Sequence, residues 1–468
     1  MNFHHYIHIF PEVFFIISSL ILLLIGTKFN YRCMNLSVLI LATVTLIMLI
    51  FTLQNEELIL FNSLVTLNLH VRSVQIFILI VSIVILLMLN MAKYHYNYEF
   101  SLLILFTTFG MMSLISSNSL ISFYLAFELM NISLYALACF NRDSMYSCEA
   151  GVKYFTLGAL SSCIMLYGIS LLYGYTGQTN FFELKLFFSE YQVTPGIIFG
   201  LIFFLVGLFF KLAIVPFHMW APDVYQGAPT IVTAFFSIAP KITLISFFTR
   251  LINEQLITIG NYVQPILLYV AALSVLISAL GALRQKNLKR LFAYSSIGHV
   301  GFMISALATF KIVGIVSALT YLIIYVIMSI GLFACLIQID DDNCDITALA
   351  SMGKKRPVLA FFLSTILFSM AGIPPLAGFF IKFFVFQSLM DSGFVTLSII
   401  LVISSVISCY YYLNIIKIMY FDKVNSSKAV TFDNRNLSFI IATSSLANVM
   451  LFLCIKNFYS FIKCLINS

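Results

Sequence analysis

Four ionisable side chains lie deep inside long apolar stretches of this 468-residue sequence, where charged residues are otherwise rare. They are Glu128, Lys211, Lys241 and Lys382. Each charge at the centre of a membrane-spanning helix costs about 3 kcal/mol on insertion scales, so the four together cost roughly 10 kcal/mol. Nothing about folding needs charges at these positions, whereas amines and a carboxylate can take up and release protons. The four residues therefore predict a path for protons or other ions through a membrane.

Other ionisable residues in the apolar stretches have simpler explanations, with one exception. Lys153 and Lys417 lie near the ends of their stretches, where a long side chain can extend its amine to the membrane surface. His218 also lies near the end of a span, and we interpret it as structural. His299 lies in the middle of a span, in the segment SSIGH (295–299), whose small polar residues could hold water. We therefore add His299 to the candidate relay.

The elements that must position these residues are helices that cross a membrane. The chain is 61% hydrophobic and 9% charged, whereas soluble domains carry about 25% charged residues. This composition excludes a soluble globular enzyme, a disordered chain and a disulfide scaffold. Long apolar runs with short connections are typical of helices, because the strands of a barrel would be shorter and would alternate in polarity. We expect an all-α, polytopic membrane protein of about fourteen transmembrane helices.

Two of the expected helices contain signals for a break. The twelfth span is too long for one crossing and has Gly372, Pro374 and Pro375 in its middle. The seventh span has Pro216 shortly after Lys211. Proline removes a backbone donor and clashes with the preceding turn, and broken helices inside membranes often mark ion pathways. We therefore predict that helices 7 and 12 are broken.

The spacing of the candidates indicates an internal repeat. Glu128 precedes Lys211 by the same separation as His299 precedes Lys382, so a single constant offset along the chain relates the two pairs. The offset covers five spans, an odd number, so the two copies would have opposite orientations in the membrane. We predict a single membrane domain over residues 1–468. It is expected to comprise the first three helices (1–98), repeat 1 (99–251), repeat 2 (262–420) and a C-terminal helix (437–468).

The distribution of charge and cysteine bears on topology and on cofactors. The net charge is +7, and most loop lysines and arginines fall on one face of the membrane, called side B here. The positive-inside rule places side B in the cytoplasm or matrix, so both termini are expected on the opposite face, side A. The sequence has no Cys-x-x-Cys pair and no Gly-x-Gly-x-x-Gly motif after a strand. We therefore expect neither a cofactor nor a metal in this chain.

Four long motifs resemble those of the antiporter-like membrane subunits of respiratory complex I. The motifs are EAGVKYFTLGAL (149–160), KLAIVPFHMWAPDVYQGAPT (211–230), QKNLKRLFAYSSIGH (285–299) and AGIPPLAGF (371–379). They keep the order of that family, and the resemblance covers nearly the whole chain. The HMWAPDVY run and Lys382 are similar to the subunit 2 type of mitochondrial NADH:ubiquinone oxidoreductase, the N-type subunit of bacteria. Asn414 is a departure, because the family commonly has arginine there.

The resemblance implies a role for each candidate residue. Glu128 would be the acid of the fifth helix, which pairs with Lys211 of the seventh helix. Lys241 would be the relay lysine of the eighth helix, and Lys382 would end the relay on the twelfth. The two repeats would be antiporter-like repeats. The chain would then be a proton-translocating core subunit, and the enzyme would be the whole NADH:ubiquinone reductase, whose electrons flow in other subunits.

The resemblance also implies partners and a location. The partners would be other membrane-arm subunits, including neighbouring antiporter-like and small membrane subunits, together with membrane lipids and no nucleic acid. The 48 phenylalanines fit either a lipid-facing surface that needs bulky side chains or an AT-rich genome, and no presequence is recognisable. We expect an organelle-encoded protein of the mitochondrial inner membrane, and a plastid or bacterial relative, whose spans would look the same, stays an alternative.

Two alternatives share part of this pattern. The first is a cation/proton antiporter, either alone or as a subunit of a multi-subunit sodium/proton antiporter, which would have the same lysines and broken helices. The second is a structural membrane subunit that conducts nothing, against which the three lysines within apolar spans argue.

Overall fold

The computed structural model describes residues 7–28, 31–53, 57–92, 96–256, 258–339, 344–422 and 434–467. Within these ranges the chain forms eighteen α-helices and one short β-hairpin. The two chain ends, for which the sequence predicts a position on side A, lie outside the described residues.

The first ten helices occupy the first half of the chain. They are α1 (Phe10–Gly26), α2 (Tyr31–Phe51), α3 (Leu69–Met91), α4 (Tyr98–Ser116), α5 (Leu120–Ala138), α6 (Met145–Thr176), α7 (Phe181–Glu190), α8 (Pro195–Lys211), α9 (Trp220–Gly227) and α10 (Thr230–Leu251). The hairpin lies between α2 and α3, where β1 (Leu58–Leu60) pairs antiparallel with β2 (Val65–Leu67).

The remaining eight helices complete the bundle. They are α11 (Gly260–Ala282), α12 (Leu288–Leu307), α13 (Ile312–Ile339), α14 (Met352–Lys355), α15 (Pro357–Ala371), α16 (Ala377–Met390), α17 (Val395–Phe421) and α18 (Arg435–Asn467). A π-helical turn, Ile252–Leu256, continues α10, and a 3-10 turn, Ile346–Leu349, precedes α14.

The helices have the length and composition expected of membrane spans. Ten of the described helices are long and apolar enough to cross a membrane, and α1, α8, α15 and α16 are shorter apolar helices. In a bilayer core each backbone polar group needs a partner within the protein, which a helix supplies along its own length. The predicted all-α, polytopic membrane fold is therefore confirmed. The total of about fourteen spans and the inverted repeats stay predictions.

Both helices in which the sequence predicts a break are interrupted. The helix α8 ends at Lys211 itself, before Pro216 is reached, and Ala213 in the connection has a positive φ of 57°. The residue before a proline is biased away from the helical region, so the chain leaves the helix ahead of the proline. In the second case α15 ends at Ala371, followed by Gly372 with a φ of 88°. A left-handed residue of this kind is a common helix stop.

The centre of the bundle is the helix α10. Every residue of α10 from Ile231 to Leu251 is buried, and α10 packs against α13, α3 and α4. A helix that is buried all round is surrounded by protein rather than by lipid. Lys241, which lies in the middle of α10, is therefore in the interior of the bundle.

The β-hairpin is attached to the bundle by Arg250, next to the end of α10. The guanidinium of Arg250 donates to Thr66 Oγ1 at 2.6 Å and to the backbone oxygens of Ile115 and Ser117 at 3.1 and 3.0 Å. These bonds join the hairpin to the end of α4. The hairpin is not predicted from the sequence, because strands of three residues are too short to show an alternating pattern.

A second buried arginine joins α1 to α3. Arg72 Nη1 lies 2.6 Å from Glu12 Oε1, and the side chains of Arg72 and Glu12 are 1% and 13% exposed. Gln75 Oε1 accepts a further hydrogen bond from Arg72 at 2.9 Å. A buried ion pair needs such additional hydrogen bonds to offset the loss of hydration. The ion pair between Arg72 and Glu12 is not predicted from the sequence.

Candidate functional site

The structure places the three candidate lysines and the candidate histidine in the interior. Lys211 and His299 are 5% exposed, Lys241 is 3% exposed and Lys382 is 6% exposed. None of them can reach the surface by extending along a helix, which is the alternative explanation for a lysine in an apolar stretch. Each of the four makes a hydrogen bond with a group of the protein.

Lys211 lies at the break in the seventh span and contacts a cluster of aromatic rings. Its Nζ donates to the hydroxyl of Tyr154 at 2.6 Å and lies 5.2 Å from the ring centroid of Tyr135. The ring of Tyr154 stacks on Trp220 with centroids 4.6 Å apart, and Trp220 Nε1 donates to the Phe210 carbonyl at 2.8 Å. The end of α8 also favours an amine, because unpaired carbonyls carry partial negative charge at a helix C-terminus.

Glu128 lies on α5, partly exposed, and is not in an ion pair with Lys211 among the described residues. Glu128 Oε1 is buried and has no hydrogen-bond partner in the described part of the chain. A buried carboxylate oxygen needs a donor, so this position is suited to a water molecule or to a group from a neighbouring chain. The direct pairing of Glu128 with Lys211 that the resemblance implies is not present in this structure.

Lys241 is hydrogen-bonded to a tyrosine from the second half of the chain. Its Nζ donates to the hydroxyl of Tyr325 on α13 at 3.1 Å and lies 5.0 Å from the centroid of the same ring. The Tyr325 hydroxyl in turn donates to the backbone oxygen of Ser237 at 3.1 Å. The contact joins α10 to α13, so that the lysine of one predicted repeat is bound by a residue of the other.

His299, on α12, is bound by two tyrosine hydroxyls. Nδ1 lies 2.7 Å from the hydroxyl of Tyr321, and Nε2 lies 3.2 Å from that of Tyr412. A second, short hydrogen bond joins the Tyr412 hydroxyl to Ser295 Oγ. A neutral imidazole donates from one nitrogen and accepts at the other, and a hydroxyl can serve either role. The site can therefore accommodate both tautomers of His299 and the protonated ring.

Lys382 lies at the second helix break, beside a small polar cavity. Its Nζ donates to the backbone oxygen of Ala371 at 2.8 Å and lies 5.6 Å from the ring centroid of Phe302. The cavity has a volume of about 20 Å³, and its lining includes His299, Lys382 and Tyr412. A polar cavity of this size can hold about one water molecule. His299 and Lys382 therefore share one hydratable space.

The structure thus brings some of the candidates together and leaves others apart. Lys241, His299 and Lys382 form a series, because the Tyr325 ring lies 5.2 Å from the His299 ring and the cavity joins His299 to Lys382. Lys211 is linked to Tyr154 instead, and no hydrogen bond joins it to Lys241 in the described residues.

The residues that the sequence analysis does not identify are the tyrosines that bind the relay groups. They are Tyr154, Tyr321, Tyr325 and Tyr412. The chain has 24 tyrosines, so residue type alone does not select these four. The constant offset between the predicted repeats would have selected three of them, because it relates Tyr154 to Tyr325 and Lys241 to Tyr412.

An open cleft lies at the end of the bundle that the sequence assigns to side B. Its volume is about 1710 Å³, and its lining includes Arg142, Lys286 and Arg290 as well as Thr230 at the start of α10. Beside it, Asp223 on α9 forms ion pairs with Lys153 at 2.9 Å and with Arg290 at 3.0 Å. The cleft gives water and protons an approach to the ends of the central helices. Among the described residues, no three His, Cys, Asp or Glu side chains cluster as they would in a metal site.

Comparisons with known proteins give relatives over most of the chain. Residues 117–408 match the family model described as NADH:quinone oxidoreductase/Mrp antiporter, TM. The chain is 60% identical over 458 residues to NADH-quinone oxidoreductase subunit N of Wolbachia sp. subsp. Brugia malayi, covering 98% of each protein. It is 42% identical over 428 residues to subunit N of Paramagnetospirillum magneticum, covering 89% of this chain and 88% of that protein.

Solved structures show the same architecture. A chain of respiratory complex I from Thermus thermophilus with bound aureothin is 28% identical, with a TM-score of 0.84, covering 96% of this chain and 98% of that chain. A chain of the Mrp complex from Dietzia sp. is 19% identical, with a TM-score of 0.85, covering 99% of this chain and 97% of that chain. At 19% identity the second similarity is evidence for the fold alone.

Proposed function

The chain belongs to the NADH:quinone oxidoreductase/Mrp antiporter family of membrane subunits, and we propose that its buried lysines and histidine carry protons across the membrane. It is an antiporter-like, multi-pass membrane subunit of NADH-quinone oxidoreductase, respiratory complex I, of the N type. The enzyme is the complex as a whole, and this chain serves it as a proton-translocating subunit. The residues that we propose for the path are Glu128, Lys211, Lys241, His299 and Lys382.

One observation carries this assignment of residues. Lys241, His299 and Lys382 come from three different helices, yet they form a buried series joined by a tyrosine ring and a cavity that can hold a water molecule. Burying three ionisable groups in one apolar bundle costs free energy, which indicates that these groups serve a function. Proton transfer is a use that needs this arrangement, because each step requires a donor and an acceptor at hydrogen-bond distance, directly or through one water.

The distance between the carboxylate of Glu128 and the amine of Lys211 controls whether Lys211 is protonated. Burial disfavours a charged amine, whereas a nearby carboxylate favours it. When Glu128 approaches Lys211, the amine is loaded; when a neighbouring subunit draws Glu128 away, the amine gives its proton toward Lys241. The partner-free oxygen of Glu128 supports this role, because it leaves the carboxylate available to a group outside the described chain.

The positions of the cations and of the cleft support transport from side B to side A. Arg142, Lys286 and Arg290 line the cleft, and cations of this kind mark the cytoplasmic or matrix side of a membrane protein. Protons enter through the cleft and leave at side A, beyond Lys382. The electrons that drive the process flow in other subunits of the complex, so coupling to NADH oxidation and quinone reduction acts at a distance.

The compartment and the neighbours belong to the proposal as well. The relatives described above are bacterial proteins, which favours a bacterial inner membrane over the mitochondrial inner membrane and organelle gene expected from the sequence. The neighbours that we propose are other antiporter-like and small membrane subunits of the complex. A separate sodium/proton antiporter is disfavoured, because the Mrp chain shares the fold at only 19% identity, whereas a subunit N relative is 60% identical.

The experiment that tests the proposed path replaces Lys211 by alanine in the assembled complex. We expect Lys211→Ala to lower proton pumping and the coupled reduction of quinone, measured in membrane vesicles, while the complex still assembles. The matched control is Lys417→Ala, since Lys417 is an exposed lysine on α17. Full pumping by an assembled Lys211→Ala complex would refute the role of Lys211.

A further inference from the structure

The side chain of Tyr325 lies between two members of the proposed path. Its hydroxyl accepts a hydrogen bond from Lys241 Nζ at 3.1 Å. Its ring packs beside the imidazole of His299, with centroids 5.2 Å apart and an interplanar angle of 47°. Tyr325 is 2% exposed, so neither lipid nor bulk water can replace it at this position. Tyr325 therefore lies between Lys241 and His299 in the interior of the bundle.

We propose that the hydroxyl of Tyr325 transfers the proton from Lys241 to His299, and that Tyr325 is therefore a catalytic residue of proton translocation. The inference rests on the proposed function, because it adds a carrier to the same path.

The predicted repeat supports this role independently of the contact distances. Tyr154 precedes Tyr325 by the same offset that relates Glu128 to His299 and Lys211 to Lys382. The Tyr154 hydroxyl accepts a hydrogen bond from Lys211 at 2.6 Å. Each repeat thus supplies a buried tyrosine whose hydroxyl meets an ammonium group. The difference is that Tyr325 binds Lys241, a lysine of the other repeat, and so connects the two.

The transfer is balanced in atoms and charge. The protonated amine of Lys241 gives one hydrogen to the Tyr325 oxygen, so that an N–H bond breaks and an O–H bond forms. The original O–H bond of Tyr325 breaks as its hydrogen passes on to the hydroxyl of Tyr321 or Tyr412, which gives its own hydrogen to the imidazole nitrogen of His299 that it contacts. Tyr325 is neutral before and after the transfer, and one positive charge moves from Lys241 to His299.

Two contacts in the structure prepare this step. In the structure the Tyr325 hydroxyl donates to the Ser237 carbonyl, and rotation of the hydroxyl about its C–O bond frees this hydrogen for transfer. On the receiving side, a protonated His299 donates from both nitrogens, and the hydroxyls of Tyr321 and Tyr412 are in place to accept. The cavity beside His299 then leads to Lys382.

The test compares Tyr325→Phe with Lys241→Ala in the assembled complex. Phenylalanine keeps the ring beside His299 and removes only the hydroxyl. A positioned acid–base group typically contributes about a hundredfold or more to the rate of a proton transfer. We therefore expect proton pumping driven by NADH to fall in Tyr325→Phe to the level of Lys241→Ala, a loss of at least about tenfold. The matched control is Tyr459→Phe, which removes a hydroxyl that also bonds to α13, at the Val313 carbonyl, away from the path. This control is expected to pump like the unmodified complex.

The outcomes separate the new inference from the proposed function. If Tyr325→Phe pumps fully while Lys241→Ala does not, the role of Tyr325 is wrong and the path stands. If Lys241→Ala also pumps fully, the path itself is wrong. A third variant, Tyr325→His, restores a group that can accept and donate a proton, and we expect it to pump more than Tyr325→Phe. A role in packing alone would make histidine the worse replacement. If the Tyr325→Phe variant fails to assemble, the Tyr325→His variant decides the question. Pumping by an assembled Tyr325→His complex supports the inference, and an assembled Tyr325→His complex that does not pump contradicts it.

Discussion

The ammonium group of Lys382 donates a hydrogen bond to the backbone oxygen of Ala371, the last residue of α15. The oxygen is available because α15 stops there, and the last carbonyls of a helix have no partner within it. The stop in turn depends on Gly372, whose φ of 88° lies in the left-handed region. The helix break and the position of the last lysine of the path are therefore one structural feature.

The first prediction tests this relationship with Gly372→Ala. A left-handed conformation costs a residue other than glycine about 1–2 kcal/mol, and the added Cβ would lie 3.0 Å from Lys382 Cδ and 3.2 Å from Lys382 Nζ. We expect the lysine to be displaced and proton pumping in vesicles to fall. Gly393→Ala is the control, because Gly393 has a φ of 81° but no atom within 4 Å of an added Cβ. An equal fall in pumping in both variants would show that backbone strain, and not the displacement of Lys382, causes the loss. Unchanged pumping in Gly372→Ala would contradict the prediction.

The second prediction concerns the hydroxyl that binds Lys211. Tyr154→Phe keeps the stacking on Trp220 and removes the 2.6 Å hydrogen bond. A hydrogen bond to a charged group contributes about 1.5–3 kcal/mol, so we expect pumping to fall by about tenfold or more. Tyr167→Phe, at an exposed position of the same helix α6, should leave pumping unchanged. Unchanged pumping in Tyr154→Phe would mean that Lys211 does not depend on this hydroxyl.

The third prediction concerns the carboxylate of Glu128. Glu128→Gln has nearly the same shape but no negative charge, so Lys211 loses the group that favours its protonated form. We expect lower pumping and a lower rate of coupled quinone reduction in a complex that assembles normally. Glu183→Gln, on the exposed face of the short helix α7, serves as the control for loss of one acidic group. Pumping at the unmodified rate in Glu128→Gln would exclude a role for the charge.

The fourth prediction addresses stability at the buried pair of Arg72 and Glu12. Removing one partner of a buried ion pair typically costs about 3–5 kcal/mol, because the other charge is left without a partner. Arg72→Met should therefore lower the thermal stability of the solubilised complex markedly. The double variant with Glu12→Leu should regain much of the loss, because no unpaired charge remains. If the double variant is as unstable as the single one, the loss comes from packing and not from the unpaired carboxylate.

The sequence is informative about the lysines because charges inside apolar stretches are rare. Lys211, Lys241 and Lys382 are identified in this way, and the structure places all three in the interior. Their partners are not identified, because tyrosine is common in the chain and its hydroxyl becomes significant only where another helix brings a lysine to it. Tyr325 is 84 residues from Lys241, a separation that no local pattern reveals.

The presence of the helix breaks is predicted from local residues, whereas the residues at which the helices end are not. Pro216 and Pro374 indicate that the seventh and twelfth spans are interrupted, since a proline acts on its own turn. They do not give the residue at which each helix ends. At the end of α8 the indole of Trp220, ten residues along the chain, donates to the carbonyl of Phe210, and no local pattern predicts this contact.

The complete burial of α10 also has a consequence for the surroundings of the protein. No side chain of α10 beyond Thr230 meets a fatty-acid tail, so changes in acyl-chain length or unsaturation act first on the outer helices. They reach Lys241 only after passing through at least one layer of close-packed protein. The environment of Lys241 should therefore be little affected by the fluidity of the surrounding bilayer.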